Sequence, residues 1–266
     1  MSSTINTNIV SINAQRNLSK TQASLSTAME RLSSGMRVNG AKDDAAGLAI
    51  AERMDAQTRG MNVAIRNSND AISLAATAEG ALGAISSNLQ RMRELAVQAS
   101  NGSNTTTDVA SMEKEFNLLK LENERVVTST LFNGQAVIAA TPFTFQVGAN
   151  TADQIAVQGA TYTGTSTTLG TTSADANLEL AKLDVDIGAV TSLRATWGAS
   201  QNRFETVIAN LRVGAENSAA ARGRIVDADY AQETANLTRS QVLQQAGTAM
   251  VAQATQGPNG VLALLR

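Results

Sequence analysis

Apolar side chains near the C-terminus recur at alternating intervals of three and four. The row is Leu180, Leu183, Ile187, Val190, Arg194, Trp197, Gln201, Phe204, Ile208, Leu211 and Ala215, with Arg194 and Gln201 as polar interruptions. This is a heptad seam, the pattern of a helix lying along another helix for its whole length. Its 36 residues predict a rod of about 54 Å at ~1.5 Å per residue, which needs a partner of similar length. A second helix from Asp44 to Ser100 supplies one. Its seam is Met61, Ile65, Ser68, Ile72, Ala75, Ala78, Leu82, Ile85, Leu89, Met92, Ala96 and Ala99. The alternation slips at Ala75–Ala78–Leu82, which predicts a local change of supercoil.

The other elements are read around this pair. Residues 2–34 carry a thin stripe of Ile5, Ile9, Ile12, Leu18, Leu25, Met29 and Leu32 among Asn, Ser and Thr, so the segment is expected to stay disordered until another surface covers it. Ser33-Ser34-Gly35 and Asn39-Gly40 break that helix, and Asp43-Asp44 reads either as a capping connector or as a contact between subunits. Residues 101–108 form a turn ending in an N-cap. A third helix is predicted from about Asp108 to Thr130, with Met112, Phe116, Leu119 and Val126 inward and Phe132-Asn133-Gly134 as its stop. Alternation in Phe143–Val147 and Gln154–Val157 predicts a β-hairpin, and the Thr/Gly/Ser tract 159–174 a surface loop. A joint at 219–224 precedes a last helix, about Asp227 to Ala254, polar except for Val242, Leu243, Ala246, Met250 and Val251. The apolar tail Val261–Arg266, with Leu262 and Leu265, suggests burial in an assembly. The expected fold class is mainly α: long antiparallel helices in a coiled-coil-like bundle with one small β-hairpin region.

Composition narrows the chemistry. Aromatics are 3% of the 266 residues, charged residues 17%, and neither Cys nor His occurs. Disulfides, thiol chemistry, histidine-bearing zinc motifs and the usual catalytic triads are therefore excluded. The carboxylate pairs read as caps, so neither enzyme activity, cofactor nor metal is expected. A net charge of −2 gives no general attraction to nucleic acid. The N-terminus lacks a secretory leader pattern, and no run approaches a membrane span, so membrane insertion is not expected. One face stands out. In Leu89–Gln98, the seam takes Leu89, Met92 and Ala96, leaving Gln90, Arg91, Glu94, Leu95 and Gln98 to point elsewhere. Arg91 and Leu95 form an i,i+4 pair, readable either as a solvated face with a rim leucine or as a recognition surface.

The sequence resembles bacterial flagellin. The resemblance rests on Ile5-Asn6-Thr7-Asn8, Arg31-Leu32-Ser33-Ser34-Gly35, Lys42 through Ile50, Asn69 through Leu74, Leu89 through Gln98, Gly198 through Phe204, Arg224 through Asp229, Gln244-Gln245-Ala246-Gly247 and Val261 through Arg266. It covers roughly residues 1–158 and 180–266, in family order, and implies a short form without large central outer domains. It implies an inner-tube domain from 1–42 and 223–266. The outer-tube rod would be 43–222, with a hairpin at about 143–158 and a short variable loop at about 159–179. It implies a secreted subunit that self-assembles into the helical flagellar filament, the propeller for swimming, with termini that fold on assembly.

The expected assembly residues of the inner tube are Ile5, Ile9, Ile12, Leu18, Leu25, Val242, Leu243, Met250, Leu262 and Leu265. Packing of the outer-tube seams falls to Ile65, Ile72, Leu82, Leu89, Phe116, Leu183, Ile187, Trp197, Phe204, Ile208 and Leu211. Family likeness places the flagellin-sensing Toll-like receptor on Arg91, Leu95 and Glu115, with Gln90 and Gln98 beside them. The other implied partners are further copies of the chain, the type III export apparatus, a flagellin chaperone, and the filament-cap and hook-junction proteins. The alternative is a hook–filament junction protein, which shares the N-terminal motifs but caps rather than polymerises.

Overall fold

Five helices carry the described chain: α1 Ile9–Ser34, α2 Ala45–Ala99, α3 Thr106–Ser129, α4 Ser173–Val226 and α5 Tyr230–Ala263. Between α3 and α4 run β1 Leu131–Phe132, β2 Gln135–Ala136, β3 Phe143–Gln146 and β4 Gln154–Val157, paired as two antiparallel hairpins. The computed structural model describes residues 7–159 and 161–263, with side chains described up to residue 256. Ile5 and Leu265, and the side chain of Leu262, lie outside the described residues. The helices divide into two compact units: Met1–Ala56 with Asn217–Arg266, and Gln57–Glu216.

In the first unit α1 and α5 run antiparallel. Asn8 Nδ2 donates to the Ala254 carbonyl at 2.7 Å, Gln244 Nε2 to Gln22 Oε1 at 2.6 Å, and Arg31 lies 3.5 Å from Glu233. As one residue number rises the other falls. Asn8 also caps α1 by accepting from the Ser11 amide. Gly35 ends the helix in the left-handed region at φ 69°, which a Cβ would oppose. Beyond it Met36 bridges Asp227, Arg37 N–H donates to Val226 O, and Ala228 N–H donates to Gly35 O. Asp229 caps α5 through the amides of Ala231 and Gln232, so the joint falls at 227–229, later than the Ala-rich 219–224 stretch suggests. Alanine and arginine simply continue α4. Asp44 accepts from Gly47 N–H at 2.8 Å and Asp43 from the amides of Asn39 and Gly40, the geometry of a capped connector.

In the second unit α2 and α4 share a core with α3 and the β3–β4 hairpin. Buried along α2 are Met61, Ala64, Ser68, Ala71, Ala75, Ala78, Leu82, Ile85, Leu89, Met92, Ala96 and Ala99. This alternation of three and four is unbroken, so the expected slip does not exist. Ile65 and Ile72 are half-buried flanks, and the smaller Ala64 and Ala71 hold the seam. On α4 the buried row is Ala176, Glu179, Leu183, Asp186, Val190, Trp197, Phe204 and Ile208, while Leu180, Ile187 and Leu211 are half-buried and Arg194 is exposed. Phe204 meets Phe145 of β3 edge-on, with ring centroids 5.6 Å apart. Phe116 of α3 is fully buried. Its helix begins earlier than expected, because Thr105 is the N-cap and Asp108 closes a reciprocal capping box with it. The Thr105 hydroxyl, donating to Asp108 Oδ2 at 2.6 Å, and then the Thr105 N–H hold the Asp108 carboxyl below its ordinary range. Asn133 (φ 50°) and Gly134 (φ 78°) form the two-residue turn of the β1–β2 hairpin, where a helix stop alone was expected.

The Thr/Gly/Ser tract is a strap docked on the unit, not a loose loop. Asp186, almost fully buried, accepts from the backbone amides and hydroxyls of both Thr165 and Ser166 at 2.8–3.1 Å. Glu179 accepts from Thr167 N–H at 2.7 Å and pairs with Lys182 at 3.0 Å. Leu169 is fully buried. A second capping box, Thr172 with Asp175, starts α4 at Ser173, so residues 173–179 are helical.

Candidate functional site

Two kinds of surface follow from this packing. In the first unit α1 buries only Ser11, Leu25 and Ala28. The expected assembly residues divide accordingly. Leu25 is buried and Leu18 half-buried against α5, where a Cβ on Gly247 would stand 3.1 Å from Leu18 Cδ1. By contrast Ile9 is 71% exposed and Met250 63%, with Ile12, Val242 and Leu243 also exposed. A groove of about 560 Å³ between α1 and α5 is lined by Lys20, Ser24, Thr27, Arg31, Asn236 and Arg239, so polar groups occupy much of what a closed helix pair would fill with apolar ones. Apolar side chains thus face outward in quantity on a narrow two-helix element. On an isolated molecule that exposure is a liability.

In the second unit the exposed polar face of α2 meets α3. Arg91 Nε donates to Glu115 Oε1 at 2.8 Å and Arg91 Nη1 to Glu94 Oε2 at 3.0 Å. The hydrogen bonds to Glu115 and then Glu94 raise the guanidinium pKa above its ordinary value. Gln90 and Gln98 are exposed on the same helix. Leu95 is not a rim residue: it is 2% exposed and belongs to the core. The i,i+4 reading fails because α2 is packed on two sides here. Asn88 bonds Asn123 of α3 at 2.8 Å, while Arg93 pairs with Asp184 of α4 at 2.7 Å. Burial against two neighbours needs a wider apolar arc than a single seam, and Leu95 falls inside it. The face that remains is Gln90, Arg91, Glu94, Gln98 and Glu115, two cation–carboxylate contacts flanked by amides. It offers hydrogen bonds and charge at fixed positions and no nucleophile or base. Among the described residues no group of Asp, Glu, His or Cys is arranged to hold a metal ion, and no helix is long and apolar enough to cross a membrane.

Comparison with known proteins places the chain in a family. Residues 5–142 match the bacterial flagellin N-terminal helical region and residues 180–265 the bacterial flagellin C-terminal helical region. A flagellin of Halalkalibacterium halodurans is 46% identical over 98% of this chain and 99% of its own length. One from Xenorhabdus nematophila is 41% identical over the whole of both chains, and one from Bacillus subtilis 40% identical over 98% and 99%. The crystal structure of Bacillus cereus flagellin superposes with a TM-score of 0.52 at 37% identity, covering 59% of this chain and 94% of that one.

Proposed function

Because the chain belongs to the bacterial flagellin family, we propose that its terminal and central parts divide the tasks of a flagellar filament subunit. The subunit is a structural protein and a self-assembling homopolymer component, not an enzyme. In this reading the terminal residues 1–42 and 223–266 line the inner tube, and 43–222 form the outer-tube rod. The exposed Ile9, Ile12, Val242, Leu243 and Met250 are covered by neighbouring copies, and with them Ile5, Leu262 and Leu265. Leu18 and Leu25 hold α1 against α5. The observation that carries this is the outward apolar face of a unit with very few buried side chains of its own. Each copy presents one surface to one neighbour and a different surface to the next. Such heterologous contacts do not close, and they propagate as a helix. The matched relatives are flagellins along their full length, which favours this reading over a hook–filament junction protein.

The same proposal sends the subunit out of the cell through the flagellar type III export apparatus, escorted by a flagellin chaperone and placed between hook-junction and cap proteins. A chain whose ends fold only on arrival suits that passage. The face of Gln90, Arg91, Gln98 and Glu115 is the proposed contact for a host flagellin-sensing Toll-like receptor. Leu95, buried beneath it, supports the face from inside.

Purified monomer seeded with short filament fragments and viewed by negative-stain microscopy tests assembly. Long filaments from the intact chain and none from a variant lacking residues 1–40 are expected. Short capped oligomers from the intact chain would point to the junction protein instead. For the recognition face, Arg91→Ala should abolish most receptor-dependent signalling while leaving the far-ultraviolet dichroism intact. Full signalling from the folded variant would remove the face from the proposal.

A further inference from the structure

Side-chain amides followed by glycine carry chemistry of their own. The nitrogen of the glycine attacks the asparagine Cγ and a C–N bond forms. The glycine N–H gives up its proton, the side-chain nitrogen takes up one and leaves as ammonia, and a five-membered succinimide remains. One water opens the ring at either carbonyl and gives aspartate or isoaspartate. The reaction needs a glycine nitrogen that is free to attack and a backbone that can turn it toward Cγ.

Three asparagine–glycine pairs have described side chains: Asn39-Gly40, Asn101-Gly102 and Asn133-Gly134. Two are held shut. Gly40 N–H donates to Asp43 Oδ2 at 3.1 Å, Asn39 N–H to the same oxygen at 3.0 Å, and the Asn39 amide to Ser34 Oγ at 3.0 Å. Asn133 is fixed at φ 50° in a two-residue turn, with Phe132 paired to Gln135 on either side. Attack within that turn requires its two positive-φ residues to leave the conformation that the hairpin imposes on them.

The third pair leaves its glycine nitrogen unbonded, although the Asn101 carbonyl accepts from Asn104 N–H at 3.1 Å, and we propose that Asn101-Gly102, in the turn between α2 and α3, is the deamidation site of the folded second unit. Asn101, Gly102 and Ser103 are all exposed. Gly102 N–H makes no hydrogen bond to the protein, and a Cβ built on Gly102 has nothing within 4 Å. Ser103 N–H points at Asn101 Oδ1 from 3.4 Å, at the oxygen on which negative charge develops during attack. The product matters to its surroundings. Asn101 N–H and the Asn104 amide both donate to the Gln98 carbonyl, at 3.2 and 2.6 Å, and so close the last turn of α2. A new carboxylate there stands at the negative end of the helix dipole, where it is unfavourable. Isoaspartate also lengthens the backbone by one carbon. Modification therefore loosens the turn that carries Gln98.

The test is peptide mapping by mass spectrometry after incubation of the full chain in mildly alkaline buffer made with heavy-oxygen water. Asn101 should convert at least about fivefold faster than Asn133, the factor that one ordinary hydrogen bond's worth of restraint imposes. The product should carry one solvent oxygen and include isoaspartate. Gly102→Ala, whose Cβ obstructs attack but meets no neighbour, should slow conversion several-fold with the melting curve unchanged. Equal rates at Asn101 and Asn133, a product free of isoaspartate, or an unaltered rate in Gly102→Ala would each overturn the proposal. The experiment does not depend on polymerisation, so its failure leaves the filament reading untouched.

Discussion

The two compact units are built from the same material, long helices poor in aromatics, yet they use it in opposite ways. The large side chains that are fully buried, among them Trp197, Phe116, Phe204, Leu82, Leu89 and Leu183, all belong to residues 57–216. The other unit buries only Leu25, Ala28, Val38, Ala51 and Val226 among its described apolar side chains and leaves Ile9, Met29, Val242, Leu243 and Met250 outside; the larger unit also exposes Leu118, Leu121, Leu178, Val185 and Val213, but around a core of its own. The difference is one of neighbours. A helix between two others can bury most of its apolar arc, whereas each helix of a pair buries only a narrow seam. One unit therefore has a core of its own. On the proposed reading the other reaches comparable burial only against neighbouring copies.

The contrast is broken most forcefully by emptying the larger core. Phe204→Ala removes a fully buried ring that packs edge-on against Phe145, and it should cost about 3–5 kcal/mol of unfolding free energy. Trp197 is the sole tryptophan and lies in this unit, so its fluorescence in a urea titration reports this unit alone. A midpoint unmoved by the substitution would mean that burial here does not carry stability.

Much of this core was legible and some was not, for physical reasons. Heptad spacing found both long helices and put Leu82, Leu89, Leu183, Trp197 and Phe204 on their seams, and all five are buried. It chose Ile65 and Ile72 over Ala64 and Ala71 because larger side chains weigh more in any hydrophobic pattern. In a closely packed helix pair small residues take the seam and larger ones flank it. The same bias passed over Glu179 and Asp186, since carboxylates are not expected at seam positions. Nothing local says that a strap will come back to satisfy them. Leu95 was misplaced because its burial depends on a third helix, not on the spacing along its own. The β1–β2 hairpin had a readable signal in Asn133-Gly134, which was taken only as a stop. On the candidate surfaces, exposure of Gln90, Arg91 and Gln98 followed from periodicity. The Arg91–Glu115 contact did not, because it joins residues on two helices.

A smaller effect is expected at the strap. Asp186→Asn keeps the volume but replaces one oxygen with an NH₂ that faces donors on Thr165 and Ser166. Hydrogen bonds to a charged acceptor are lost and a donor–donor contact is created, a cost of about 2 kcal/mol. Hydrogen exchange should localise it, with amides of 162–169 losing protection while those of α2 keep theirs. Uniform loss across both would show that the strap belongs to the core rather than being docked onto it.

The smallest change in the monomer should fall on the other unit, and it sharpens the comparison most. Met250 is 63% exposed, so Met250→Ser removes little that is buried in a single molecule, and unfolding should shift by no more than about 0.5 kcal/mol. If neighbouring copies cover that side chain, the same substitution forfeits a burial worth roughly 2 kcal/mol per subunit added. The free monomer concentration in equilibrium with filament should then rise by more than about tenfold, read by sedimentation. The two measurements use one variant and differ only in whether neighbours are present. A large loss in the monomer would mean that the terminal pair is already covered by its own chain. An unchanged monomer with unchanged assembly would mean that Met250 stays in solvent throughout. Only a silent monomer with impaired assembly fits a unit whose missing core is supplied by the next copy.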